Sequence, residues 1–248
     1  MIKKTLTIAL LLSLSPAVHG DSEPGQFFRA LGAPAEREVD VSWNRFHDHA
    51  GIHAILVQLH EAFPEITKLY SIGQSHEGRD LWCLEVTNKR LGDPARKTGM
   101  YIAGNIHGNE VQASEVVLYT AWYLCENYAY VKDIAQLVDE RVFYLIPTIN
   151  PDGRDYWCHE VQTQQSSRSG KKPLDNDRDG QLDEDDYDDL DGDGSITRMR
   201  IKDPNGRWKP HPEYPDYLMV RAKDDEPGAY SLLGYEGIDN DGDGSINE

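Results

Sequence analysis

The stretch Gly104-Asn105-Ile106-His107-Gly108-Asn109-Glu110 joins a strand-like run, Met100 to Ile106, to a helical pattern that starts near Glu110. In that pattern Ala113, Val117, Ala121, Leu124 and Tyr128 share one face. A strand that passes directly into an amphipathic helix is half of a crossover unit, and it decides the fold class. Upstream, Ile52, Ile55, Leu56, Leu59 and Phe63 recur at helical steps and stop before Pro64. Strand-like runs follow from Ile66 to Ile72 and from Leu81 to Thr87. Downstream, a shorter helix around Val131 to Val138 leads into a buried-looking strand, Val142 to Thr148. The expectation is an α/β fold, with a mixed, partly parallel sheet flanked by helices.

The junction also carries chemistry. His107 and Glu110 stand at the carboxyl end of a strand, the edge of an open α/β sheet where ligands sit. Neutral imidazole and carboxylate are two of the donor types a catalytic zinc uses. Gly108 between them allows a tight turn. The plainer reading of Glu110 is a first-turn acid favoured by the helix dipole.

Two neighbouring motifs extend the pattern. Upstream lies Ser71-Ile72-Gly73-Gln74-Ser75-His76-Glu77-Gly78-Arg79-Asp80-Leu81, and downstream lies Asn150-Pro151-Asp152-Gly153. Taken in order, the three resemble the zinc metallocarboxypeptidases of the carboxypeptidase A-like family, over roughly residues 46–168. The resemblance implies that His107 and Glu110 are Zn2+ ligands and that peptide or protein C-termini are the substrate. It also implies that an arginine near Ser166-Ser167-Arg168-Ser169 polarises the scissile carbonyl. Arg154 and Arg168 both lie in range, and Arg168 is preferred. A guanidinium suits that task because it is permanently charged. The Asn150–Gly153 motif is read as architectural, a turn with Pro at its second position.

The family pattern also requires a second His, an Asn-Arg pair and a late Glu. Beyond Gly153 the only histidines are His159 and His211, and His211 between two prolines reads as an exposed loop residue. No Asn-Arg dipeptide follows. The expectation is therefore an incomplete front part of such an enzyme that binds zinc poorly and does not turn over peptide by itself. The same architecture also hosts amide hydrolases of small acyl-amino acids.

From Gln162 onward the composition shifts to Asp, Gly and Pro, and the segment 162–248 reads as an irregular acidic insertion. Asp175, Asp177, Asp179, Gln181, Asp183 and Asp186 occupy alternate positions of a Ca2+-type loop, with Gly180 at its sharp turn. Asp189, Asp191 and Asp193 begin a second copy, whose twelfth position is Arg200. Asp239, Asp241 and Asp243 begin a third. The alternatives are structural calcium sites, which would also suit a secreted calcium-dependent binding or adhesion module, or an acidic solvated linker. The whole chain holds 43 acids against 25 basic residues, a formal charge of -18. Residues 173–193 contribute eleven acids and one Arg. That balance excludes a counterion-displacing nucleic-acid binder and leaves no basic face for anionic lipid.

The first twenty residues pair Lys3 and Lys4 with a short apolar run, Thr5 to Leu14, the pattern of a secretory signal peptide too short to span a bilayer. The domain expectation is a signal peptide at 1–20, an α/β domain at 21–161 behind a polar lead-in (21–45), and the insertion at 162–248. A secreted or periplasmic location follows. Cys83, Cys125 and Cys158 then allow at most one bridge, or three free thiols.

Overall fold

The computed structural model describes residues 34, 36–175, 178–183, 185–240, 242, 244, 246 and 247. The signal-peptide segment, Asp177, Asp241 and Asp243 lie outside the described residues.

Asp48 opens α1 (His49–Ala62) by accepting the Gly51 N–H at 2.8 Å, so one otherwise orphaned donor of the first turn is satisfied. Ile52, Ile55, Leu56 and Leu59 form its buried stripe, and Pro64 ends it. The hairpin β1 (Thr67–Gln74) and β2 (Asp80–Val86) follows, then β3 (Thr98–Ala103), α2 (Gln112–Asn127), α3 (Lys132–Glu140) and β4 (Arg141–Ile146). The strands assemble in the order β1-β2-β4-β3. β2 runs antiparallel to both β1 and β4, whereas β3 and β4 are parallel. The sheet is mixed and partly parallel, and the fold is α/β. Leu84 and Val86 of β2 sit opposite Leu145 and Phe143 of β4, and these four join α1 and α2 in the core. At the edge, β3 exposes Met100 and Tyr101.

Three boundaries differ from the sequence reading. The strand before the junction ends at Ala103, not Ile106, because Asn105 turns into the left-handed region (φ 56°). The Asn105 side-chain amide donates to the carbonyls of His107 (2.7 Å) and Gly108 (3.2 Å), which offsets the strain of that conformation. The following helix starts at Gln112. Its buried face is wider than the five-residue stripe, adding Leu118, Trp122 and Cys125, while Ala113 and Tyr128 are only half-buried. The lead-in is less polar than its composition suggests. Val39 and Val41 are buried, the Glu126 carboxylate accepts the Glu38 and Val39 N–H groups, and the Trp122 indole donates to the Val39 carbonyl.

The Asn150–Gly153 motif is not an isolated turn but the start of α4 (Pro151–His159). Asn150 caps it by accepting the Gly153 N–H at 3.0 Å, and Pro151 takes the first helical position. Asp152 of that first turn accepts the Ser75 hydroxyl (2.6 Å), the Glu77 N–H (3.1 Å) and the Arg79 guanidinium (2.9 Å). Arg79 also donates to Asp155. The hairpin motif and the Asn150–Gly153 motif are therefore one hydrogen-bonded unit.

Past α4 the chain is irregular as far as Thr197, as the composition implies. Beyond it, β5 (Arg198–Lys202), β6 (Trp208–Pro210), β7 (Met219–Arg221) and β8 (Tyr230–Tyr235) form a small antiparallel sheet in the order β5-β8-β6-β7, which the sparse apolar runs did not announce. Cys83, Cys125 and Cys158 are all free, the first two buried. Burial pushes their thiols up, which makes them poor nucleophiles.

Burial by itself would raise the carboxyl pKa of Asp152, but bonds from Ser75, the Glu77 N–H and Arg79 hold it below the usual range. A lowered native pKa gives stability that is complete above the unfolded value, near 3.9, and is lost as pH falls through the native one. Asp152→Asn should cost about 3 kcal/mol at neutral pH. In denaturant titrations the gap between wild type and variant should narrow steadily below about pH 4. A gap that stays constant to pH 2 would separate the effect from this carboxylate.

Candidate functional site

The site begins with a contact between backbones. An added Cβ at Gly108 would meet the Ser167 carbonyl oxygen at 2.1 Å and Gly153 at 2.5 Å, and one at Gly153 would meet the same oxygen at 2.6 Å. Only two glycines allow the junction, the start of α4 and the loop carrying Arg168 to converge this closely. Hydrogen bonds lock the contact. The Gly108 N–H donates to the Arg168 carbonyl at 3.0 Å, and the Asn150 amide donates to the carbonyls of Ile106 (3.3 Å) and Arg168 (3.4 Å). Thr148 donates to the Asn105 side chain at 3.0 Å.

On this base the three site residues expected from sequence come together. His107 Nδ1 lies 3.0 Å from Glu110 Oε1, and Arg168 Nη1 lies 3.4 Å from the same oxygen. Their side chains are 37%, 50% and 42% exposed, so all three are open to a ligand. Arg154, the other arginine in range, is fully buried. It donates to the carbonyls of His47 (2.7 Å) and Val111 (2.6 Å) and to Glu115 (2.6 Å). Its guanidinium is committed to the interior. Glu115 also accepts the His47 N–H and contacts His47 Nδ1 at 2.9 Å. Burial would raise its pKa, but His47 and Arg154 together lower it.

An imidazole and a carboxylate three residues apart fit as two of zinc's donors. Among the described residues, no third His, Cys or acid joins them in one cluster. His159 instead pairs with Asp48 at 3.1 Å. His211 is half-buried and not a free loop residue, because its Nδ1 accepts the Glu213 and Tyr214 N–H groups.

The acidic loops share one conformation. Positions four and six of each copy have positive φ: Arg178 and Gly180, Gly192 and Gly194, Gly242 and Gly244. In each copy the first Asp accepts the N–H of both positions, as Asp189 does from Gly192 (2.8 Å) and Gly194 (2.9 Å). A cavity of about 510 Å³ separates the first of these loops from α4, with Tyr156, Ser166 and Lys171 on one side and Asp183, Asp185 and Tyr187 on the other.

The zinc carboxypeptidase family profile matches residues 52–210, and the chain belongs to that family. It is 37% identical to carboxypeptidase D of Mus musculus over 117 residues, which is 47% of this chain and 8% of that protein. It is 35% identical to carboxypeptidase E of Caenorhabditis elegans over 127 residues, 51% of this chain and 27% of that protein. The chain thus spans well under a third of the length of these curated relatives. The crystal structure of carboxypeptidase A from Helicoverpa armigera superposes with a TM-score of 0.43 at 21% identity, covering 51% of this chain and 30% of that one.

Sequence reasoning missed the supporting residues Asn105, Asn150 and Ser75. Ser75 acts on Asp152 and Asn150 on Ile106 across long sequence separations that no local pattern signals, whereas the Asn105 bonds to His107 and Gly108 and the Asn150 cap on Gly153 are local. The close packing at the two glycines predicts that Gly153→Ala costs about 3 kcal/mol, by forcing backbone shifts in a filled space. Urea unfolding monitored by tryptophan fluorescence measures this, and a loss near zero would mean that the three segments separate freely.

Proposed function

We propose that this chain carries the zinc-binding and carbonyl-polarising part of an exported peptide carboxypeptidase. The observation that carries the reading is the meeting of His107, Glu110 and Arg168 on one open surface in a chain of the zinc carboxypeptidase family. His107 and Glu110 would hold the metal. Bound zinc supplies a water of lowered pKa and a Lewis acid for the peptide carbonyl. Arg168, whose Nη1 lies 3.4 Å from Glu110, would stabilise the negative charge that develops on the carbonyl of a peptide bound beside it. The backbone bonds from Asn150 and Gly108 fix the Arg168 loop, so this charge needs little rearrangement to act. The substrate is the C-terminal end of a peptide.

Because no third His, Cys or acid joins His107 and Glu110 among the described residues, the expectation is weak zinc binding and slow peptide hydrolysis. The apolar run at residues 5–14 supports export, and no described helix is long and apolar enough to cross a membrane. The Asp-rich loops are calcium sites, the first of them lining the cavity with Asp183, Asp185 and Asp186; the positive φ at the fourth and sixth positions of each copy supports this.

Zinc titration followed by calorimetry tests the metal assignment. Wild type should bind one equivalent. His107→Ala should lose more affinity than the roughly 10–100-fold that the loss of a supporting residue costs. Arg168→Gln should bind zinc as wild type does. Equal zinc binding by wild type and His107→Ala would overturn the assignment.

A further inference from the structure

The second acidic loop lacks a carboxylate at its twelfth position, where Arg200 stands, and by sequence it is degenerate. In space it is not. The loop leaves the fold at Asp188 and returns at Thr197, and Glu236 grips both ends. The Glu236 carbonyl accepts the Asp188 N–H at 3.3 Å, and its own N–H donates to the Thr197 carbonyl at 2.9 Å. The backbone thus fixes where the Glu236 side chain begins. Its carboxylate lies with those of Asp189 and Asp191, one ligand oxygen of each within 4.8 Å of the others. Oxygens that share one Ca2+ at 2.3–2.6 Å lie at most about 5 Å apart, so this cluster has the dimensions of a coordination shell.

A second observation points the same way. Glu236 is only 6% exposed. Its Oε1 accepts the Thr197 hydroxyl at 2.5 Å, but Oε2 is buried with no hydrogen-bond partner. A buried carboxylate oxygen with nothing to accept is costly, and native folds place a donor or a cation against it. Asp185 Oδ2 and Asp188 Oδ2, on the segment that bridges to Gly237 through Tyr187, are likewise buried and without a partner. The Asp185 Oδ1 accepts the Asn240 N–H at 2.8 Å, which joins the third loop to the same segment.

We propose that Glu236 completes a calcium site with Asp189 and Asp191, supplying from the end of β8 the carboxylate that the second loop lacks. This rests on the reading of the acidic loops as calcium sites and adds to it a ligand about forty residues away in sequence. The site is then a clasp. One ion ties the loop between α4 and β5 to the exit of β8, and holds the small sheet against the segment of Asp185 and Tyr187 that lines the cavity.

The test is calcium titration of the full chain by calorimetry, with thermal unfolding measured in calcium and in EGTA. Wild type should bind calcium and gain melting temperature. Glu236→Gln has the same shape and loses the buried charge. It should fold in EGTA with a melting temperature at or above that of wild type, lose one equivalent of calcium and lose most of the calcium-dependent gain. Glu213→Gln, an exposed carboxylate outside the acidic loops, should keep the full wild-type stoichiometry and the whole calcium-dependent gain. Wild-type calcium binding unchanged in Glu236→Gln would overturn the clasp while leaving the loops as calcium sites. No calcium binding by wild type would overturn both.

Discussion

The site depends on one steric constraint: at Gly108 and Gly153, three backbones approach so closely that no side chain fits between them. Everything that could act on a substrate is hung from that contact. His107 and Glu110 flank Gly108, α4 begins around Gly153, and Arg168 follows the Ser167 carbonyl against which both glycines pack. The polar groups around it hold what sterics alone would only permit. Asn105 and Asn150 satisfy backbone carbonyls that a sharp exit from β3 would otherwise leave bare, and the Thr148 hydroxyl holds the Asn105 side chain in place.

Behind the contact lies a second layer that is ionic. Arg154 runs through the interior to the carbonyl of Val111, just before α2, while Arg79 and Asp152 fasten the β1–β2 hairpin to the start of α4. Two arginines close together in sequence terms, Arg154 and Arg168, have thus been given opposite fates by burial. One is structural because it is fully buried and each of its three guanidinium nitrogens is bonded to the interior. The other faces solvent beside Glu110.

The α/β class and the positions of the main helices and strands were legible from apolar spacing, because the core of this fold is built from regular stripes on α1, β2, α2 and β4. Boundaries were less legible. A side-chain amide decided the exit from β3, and the apolar character of Met100 to Ile106 gave no sign of it. The burial of Val39 and Val41 depended on Glu126, 87 residues from Val39 in sequence, which no local window contains. Of the site, His107, Glu110 and Arg168 could be named because the ordered motifs carry a family resemblance that implies them. Glu236 could not, since it completes a loop whose own sequence looks deficient. The small C-terminal sheet escaped notice for a related reason: its strands are short and none of their residues is fully buried, so they lack the alternation that a buried face imposes.

The edge strand β3 has a consequence of a different kind. Thr98-Gly99-Met100-Tyr101-Ile102-Ala103 contains no charge and no proline, the guards that soluble sheets usually place on an open rim. Its backbone groups on the outer side are a template for any strand of matching length. Among the described residues this rim is therefore where a further strand would extend the sheet.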